Sequence, residues 1–150
     1  DLKRYCEDKG IGHKTGKGTL LVERNDCEKA ENIAIDCEKY DSKDWPHMTR
    51  YPKRQYLFWG MRRIMTTIGI SQKKINAFTD FFYANILKDY YIKSGIKLIN
   101  RYETVYSTRM HASIAAWLLG KKTYMIDNSY GKCSGVYNQW ISDQENISLV

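Results

Sequence analysis

Apolar residues in this chain gather in short runs that alternate with stretches of helical periodicity. Residues 19–22, 104–106 and 122–126 are β-prone runs, and polar sequence follows each of them, which predicts three short strands. Between the last two runs, apolar residues recur at the spacing of one helix face: Met110, Ile114, Trp117 and Leu118. Strand, helix and strand at this spacing predict a βαβ unit, and therefore an α/β fold with a parallel sheet flanked by helices.

The middle of the chain has helical periodicity and no strand pattern. Residues 55–68 are predicted to form one helix, which Gly69 ends, and Ser71 is a candidate cap for a second. The second helix has a largely aromatic stripe: Phe78, Phe82, Ile86, Tyr90 and Tyr91. Because aromatic side chains dominate core packing, we interpret the stripe as core rather than as a platform for stacking ligands. Residues 29–54 are polar and are predicted to be irregular.

Positive charge is concentrated in the same middle region. The 150-residue chain has 24 Lys and Arg against 17 Asp and Glu, a formal net charge of +7. Between residues 50 and 101 there are eleven basic and two acidic residues. This segment indicates either an anionic partner, such as a phosphate-bearing substrate, a nucleic acid or a membrane surface, or a solvated helical face. No apolar run reaches the roughly 18 residues of a membrane-spanning helix, so none is expected in this sequence.

Neither the cysteines nor the glycine-rich segment near the amino terminus has the pattern of a metal or nucleotide site. Cys6, Cys27, Cys37 and Cys133 include no CxxC pair, so we expect no metal site. Sparse thiols favour a reducing, cytoplasmic location. Ile11 occupies the position of the first glycine of a phosphate-binding loop, so we predict a flexible basic segment over residues 1–18 instead.

Three polar clusters follow the predicted strands, where ligands bind in open α/β sheets. They span residues 24–28, 107–111 and 127–132. Arg109 and His111 fall at the predicted start of a helix, where free backbone N–H groups favour an anion. An arginine fork suits a carboxylate or phosphate, and histidine exchanges a proton near neutral pH. The alternative interpretation is a surface arginine and a hydrogen-bonded histidine with no part in binding.

The same clusters resemble the motifs of the polysaccharide pyruvyl transferases. Residues 106–112 are YSTRMHA, residues 118–121 are LLGK and residues 127–135 are DNSYGKCSG. These are similar to the family's R-[LM]-H helix start, L-G-[KP] helix end and D-x-S-Y-G-K segment, with Met110 where leucine is usual. Residues 24–28 resemble its R-x-D-x-E motif.

The resemblance implies a fold and a set of site residues. Family members resemble two-domain GT-B glycosyltransferases, in which two Rossmann-like halves surround a cleft, and the motifs belong to the C-terminal half. We therefore expect residues 19–150 to form one Rossmann-like half, with the N-terminal half absent. The implied ligand is phosphoenolpyruvate, with no cofactor. The implied contacts are Arg24, Arg109, His111, Lys132 and Ser129, with Asp26, Glu28 and Asn128 as secondary candidates.

The implied reaction transfers a pyruvyl group from phosphoenolpyruvate to two hydroxyls of a saccharide or lipid-linked saccharide. It forms a ketal and releases phosphate, in the biosynthesis of a cell-surface polysaccharide such as a capsule or exopolysaccharide. His111 would protonate the enolpyruvyl methylene, Arg109 and Arg24 would hold the carboxylate and phosphate, and Lys132 would assist phosphate departure. The basic helices would permit peripheral contact with the inner face of the membrane.

Two other functions are compatible with the sequence. A different GT-B-like transferase would hold the diphosphate of a nucleotide sugar at the same helix start. A non-enzymatic module would bind a polyanion through residues 50–101. The core spacing of the aromatic residues, and a sequence without a nucleic-acid-binding signature, argue against nucleic acid as the partner.

Overall fold

A computed structural model describes residues 2–10, 16–23, 35–45, 51–127 and 131–150 of the chain. Its strands are β1 (Thr19–Val22), β2 (Tyr40–Lys43), β3 (Thr104–Ser107), β4 (Lys122–Met125) and β5 (Ile147–Leu149). Its helices are α1 (Leu2–Asp8), α2 (Lys53–Thr67), α3 (Gln72–Phe82), α4 (Lys88–Ile99), α5 (Met110–Leu118) and α6 (Lys132–Val136). A π-helical turn follows α3 over Tyr83–Leu87, and another follows α6 over Tyr137–Ile141.

The chain divides into two compact units. The first, called here the sheet unit, comprises Asp1–Trp45 and Ile96–Val150, and the second, the helical unit, comprises Pro46–Gly95. None of the helices in the described ranges is both long enough and apolar enough to cross a membrane.

The five strands form one parallel sheet in the order β2-β1-β3-β4-β5. This arrangement confirms the predicted α/β class, a Rossmann-like parallel sheet flanked by helices. β1 and β3 lie inside the sheet, and Leu20, Val22 and Val105 are fully buried. Short apolar runs are typical of parallel strands that are covered on both faces, which is why the sequence pattern located β1, β3 and β4.

Two strands have no counterpart in the sequence prediction. Residues 29–54 were predicted to be irregular, and this is wrong over β2, which pairs with β1 from Thr19↔Tyr40 to Val22↔Lys43. All four β2 residues are exposed, so the sequence has no pattern of apolar residues that would predict this strand. Its backbone pairing with β1 defines it as a strand. β5 is only three residues long. At the amino terminus, α1 occupies the first part of the segment that was predicted to be a flexible basic region.

One core cluster of the sheet unit lies on the face that α5 covers. Met125, Cys133, Ile141 and Ile147 are buried together. Three residues of the predicted α5 stripe pack against this cluster: Met110, Ile114 and Trp117. These stripe residues are only partly buried, and the fully buried residues of α5 lie on another side of the helix: Ala112, Ser113 and Ala116.

The helical unit has a separate aromatic core. Phe58 and Phe82 are buried with ring centroids 5.2 Å apart, and Phe78 stacks on Phe58 at 5.9 Å. Ile86 and Tyr91 pack at the edge of this cluster. Most of the predicted aromatic stripe is thus core, as expected. The Tyr91 hydroxyl donates a hydrogen bond to the buried Gln55 Oε1 at 3.0 Å.

Candidate functional site

The order of the strands creates a switch point between β1 and β3. From β1 the chain adds β2 on one side of the sheet, whereas from β3 it adds β4 and β5 on the other. In open parallel sheets the crevice outside the carboxyl ends of two such strands is the usual ligand position. The backbone N–H of Thr108 donates to the carbonyl of Val22 at 3.1 Å, which joins the two strand ends at this point.

Arg109 lies at the switch point and is held by an aspartate that directly follows a third strand, β2. Its Nε donates to Asp44 Oδ1 at 2.8 Å, and its Nη2 is 2.6 Å from the same oxygen. The two side chains are only 19% and 9% exposed. The pair fixes the plane of the guanidinium and leaves at least three of its five N–H donors for a ligand. Asp44 directly follows β2. Because β2 was not predicted from the sequence, no sequence pattern indicated that Asp44 belongs to this site.

The start of α5 adds backbone donors beside Arg109. Arg109 is the N-cap, with an extended backbone and no side-chain cap hydrogen bond. Ser107 ends β3, and its Oγ accepts a hydrogen bond from the Arg109 N–H at 3.0 Å. Because the first N–H groups of a helix have no intrahelical acceptor, those of Met110 and His111 can bind an anion.

Two further side chains at this edge form no hydrogen bond within the described part of the chain. The His111 side chain is exposed, in the first turn of α5, and forms no hydrogen bond within the described part of the chain. Thr108 is 3% exposed, and its Oγ1 has no hydrogen-bond partner among the described residues. A buried hydroxyl without a partner is uncommon in folded proteins, and it is consistent with a ligand at this position.

Two described residues of the third polar cluster, Asp127 and Gly131, set the start of α6. Asp127 Oδ1 accepts hydrogen bonds from the N–H groups of Cys133 and Ser134, at 3.1 and 3.3 Å. Gly131 has a φ of +66°, which glycine adopts readily. Lys132 is the exposed first residue of α6. Asp127 and Gly131 therefore build the turn that carries Lys132.

Burial lowers the reactivity of the Cys133 thiol, which lies next to Lys132 in the sequence. Cys133 is 1% exposed, and this burial, together with the nearby Asp127 carboxylate, raises the pKa of its thiol to about 11. Because the thiolate is the nucleophilic form of cysteine, Cys133 acts as a core residue and not as a nucleophile.

The structure places three of the predicted site residues at one edge of the sheet, and their roles stay predictions. Arg109 and His111 share the start of α5, and Lys132 follows β4, the strand next to β3, at the same edge of the sheet. The other predicted site residues lie outside the described residues, and their roles stay predictions: Arg24, Asp26, Glu28, Asn128 and Ser129. The described ranges contain no cluster of three or more metal-ligating His, Cys, Asp or Glu side chains.

An open cleft of about 560 Å³ lies at the other edge of the sheet. It is lined by residues at the amino ends of β1 and β2, with Tyr102 beside them. The Tyr102 hydroxyl donates to Asp41 Oδ2 at 2.5 Å and accepts from Lys43 Nζ at 3.1 Å, and this second bond raises the pKa of Lys43. The sequence did not point to this cleft, and it is distinct from the switch point.

Comparison with known proteins gives two matches. The sequence model of the family described as polysaccharide pyruvyl transferase matches residues 15–130. A protein of Bacillus subtilis (strain 168) with the name "Putative pyruvyl transferase EpsO" is 27% identical over 111 residues, which are 73% of this chain and 33% of that protein. The chain therefore spans about a third of the length of this relative. No solved structure matches the chain.

Proposed function

Because the chain belongs to the polysaccharide pyruvyl transferase family, we propose that it carries the phosphoenolpyruvate site of an enzyme that pyruvylates a saccharide. The observation that carries this proposal is the Arg109 guanidinium, which Asp44 holds beside the first turn of α5 at the switch point. Phosphoenolpyruvate has a carboxylate and a phosphate. Both groups suit an arginine fork and the N–H groups of a helix start.

Each candidate residue has a proposed role toward this donor. Arg109, with the first N–H groups of α5, binds one anionic group of phosphoenolpyruvate, and Arg24 binds the other. Lys132 assists departure of the phosphate, with Ser129 as a further donor contact. Asp26, Glu28 and Asn128 are secondary contacts of the same site.

The proposed reaction begins with proton transfer from His111. The imidazolium gives its proton to the methylene carbon of the donor, which becomes a methyl group and leaves an oxocarbenium-like centre at the adjacent carbon. A first saccharide hydroxyl adds to this centre and releases its proton, and the C–O bond to phosphate then breaks. A second hydroxyl adds in the same way and closes the ketal. The exposed position of His111 allows it to be protonated again from solvent.

The rest of the enzyme completes the proposed site. A second Rossmann-like half, in a GT-B-like arrangement, would close the cleft and bind the saccharide or lipid-linked saccharide. The proposed pathway is the biosynthesis of a capsule or other exopolysaccharide, and the proposed location of the enzyme is the cytoplasm, at the inner face of the membrane.

Thermal unfolding of the 150-residue chain tests the donor site. We expect phosphoenolpyruvate to raise Tm, because a ligand at about 100 times its Kd adds roughly 2.7 kcal/mol of stability. Arg109→Gln should abolish most of this shift. Lys17→Gln removes a positive charge at the opposite edge of the sheet and should leave it unchanged.

The ligand series separates this function from its nearest alternative. A shift with a nucleotide sugar and none with phosphoenolpyruvate would replace the proposal by a glycosyltransferase. His111→Gln should keep the phosphoenolpyruvate shift, yet lower phosphate release by the active enzyme roughly 10²–10⁴-fold. Near-normal phosphate release by this variant would exclude the acid role of His111.

A further inference from the structure

The helical unit exposes an aliphatic stripe along α2. Leu57, Met61 and Ile64 are 59%, 39% and 62% exposed, and Ile68, directly after the helix, is 67% exposed. Spacings of four, three and four residues place these side chains within about 60° of one another around the helix axis. The buried residues of α2 are Gln55 and Phe58, on another side. The stripe is therefore not the side that α2 uses for its own core.

Exposed aromatic rings lie elsewhere on the helical unit, and Tyr56 and Trp59 are roughly 110° and 170° around the α2 axis from the centre of the stripe. Tyr51, Tyr56 and Trp59 are 46%, 56% and 41% exposed. The rings of Tyr51 and Tyr56 meet that of Trp59 edge-on, at centroid distances of 4.9 and 5.6 Å. Phe81 and Tyr83 are also more than half exposed. Large apolar residues scattered singly are normal on a soluble protein, whereas neighbouring exposed side chains such as those of the aliphatic stripe indicate an interaction surface.

The helical unit also carries the net positive charge of the chain. Residues 46–95 include nine basic and two acidic residues, a difference equal to the +7 of the whole sequence. Lys53 and Arg54 begin α2, and Arg62 and Arg63 lie in its second half. The salt bridges formed between described residues, Lys43–Asp41 and Arg109–Asp44, involve none of these four cations.

We propose that the helical unit docks on the interface of an anionic lipid bilayer. Exposed aliphatic side chains on a helix enter the boundary between headgroups and acyl chains. A polybasic segment is attracted by anionic headgroups, and the long stems of Lys and Arg let their charges reach those headgroups from beside an apolar stripe. A protein surface would match the stripe alone, whereas the bilayer also matches the charge of the unit.

Flotation of the 150-residue chain with lipid vesicles tests this inference. We expect binding to vesicles that contain equal parts of phosphatidylglycerol and phosphatidylcholine, and at least tenfold weaker partitioning into pure phosphatidylcholine. Binding should weaken at about 1 M salt, where the Debye length falls to about 3 Å.

Two double variants separate the apolar and the electrostatic contributions. Ile64→Ser with Ile68→Ser should lower the partition coefficient at least tenfold, since both side chains are more than 60% exposed and neither is part of the aromatic core. Arg62→Gln with Arg63→Gln should lower it roughly tenfold and reduce its salt dependence.

Matched controls lie in the sheet unit. Trp140→Ser removes a side chain that is 74% exposed, and Lys39→Gln with Lys97→Gln removes two exposed charges. Neither control should change vesicle binding by more than about twofold. Circular dichroism of every variant checks that the fold is retained.

Three results would overturn the inference. One is equal binding to neutral and anionic vesicles. Another is binding by the Ile64→Ser/Ile68→Ser variant that matches the parent. The third is a chain that does not bind anionic vesicles, and a dimer that this variant abolishes would then assign the stripe to a second copy of the chain.

Discussion

The ion pair between Arg109 and Asp44 is the single side-chain contact that most shapes the candidate site. Both groups are largely buried, and both guanidinium contacts go to one carboxylate oxygen. The Trp45 N–H also donates to this oxygen, at 2.6 Å. Burying a charge is costly unless it is paired, so each partner keeps the other in place. The pair orients Arg109 before any ligand arrives, and this lowers the conformational entropy lost on binding.

Asp44→Asn tests the pair by its effect on stability. The amide keeps the size of the side chain but leaves the Arg109 charge without its counter-ion. We expect the free energy of unfolding to fall by about 3 kcal/mol, at the lower end for a broken buried pair because Arg109 is partly exposed. Urea unfolding of the parent and the variant measures the difference.

The double variant Asp44→Asn/Arg109→Gln supplies the control for this experiment. Since it removes both charges, it should be more stable than the sum of the two single substitutions predicts, by 1 kcal/mol or more on the scale of coupled neighbours. Glu38→Gln, at an exposed carboxylate, should be nearly neutral. Strict additivity of the two single changes would show that the pair is not coupled.

At the scale of elements, the segment at residues 127–135 has two glycines in different backbone environments at the start of α6 and inside it. Gly131 is left-handed and precedes Lys132, while Asp127 caps the helix from four residues before the glycine. Gly135 lies inside α6, and a Cβ added there would meet nothing within 4 Å. The two glycines of the motif thus have different conformational requirements.

Alanine substitution at the two glycines should have opposite effects. Gly131→Ala places a Cβ in the left-handed region and should destabilise the chain by roughly 1–2 kcal/mol. Gly135→Ala raises helix propensity and should stabilise it by about 0.5–1 kcal/mol. Thermal or urea unfolding of the two variants checks the prediction. A Gly131→Ala variant as stable as the parent would contradict the left-handed turn.

At the scale of the whole molecule, the two units have separate cores. Phe58, Phe82 and Leu87 are buried in the helical unit, and Met125 with Ile147 is buried in the sheet unit. A unit with its own core can open without the other, and native-state hydrogen exchange measures such local opening.

Phe82→Ala should therefore destabilise the helical unit more than the sheet unit. Removing this buried ring should cost roughly 3–5 kcal/mol and increase amide exchange across α2 and α3 far more than in β3 and β4. Met125→Ala is the reciprocal control, and it should increase exchange in the sheet unit instead. Equal loss of protection in both units after either substitution would show that they open together.

Some described residues of the candidate site could be identified from the sequence, and others could not. Arg109, His111 and Lys132 were found from the sequence because they follow apolar runs or motif patterns that local physics makes visible. Asp44 was missed because β2 has four exposed residues and no periodicity to detect. The exposure of the α2 stripe was also invisible, since an apolar stripe at helical spacing looks the same whether it faces a core or solvent.

The sequence alone determined the α/β class, the positions of β1, β3, β4 and α5, and the motifs at their ends. Apolar runs and helical spacing are local patterns, and burial on both faces of a parallel sheet imposes them on the residues themselves. Tertiary structure decided the strand order, the switch point between β1 and β3, and the partner of Arg109. Asp44 and Arg109 are 65 residues apart along the chain, and only the pairing of β2 with β1 brings them together. No local pattern encodes that pairing, because β2 is held by backbone hydrogen bonds that any sequence can form.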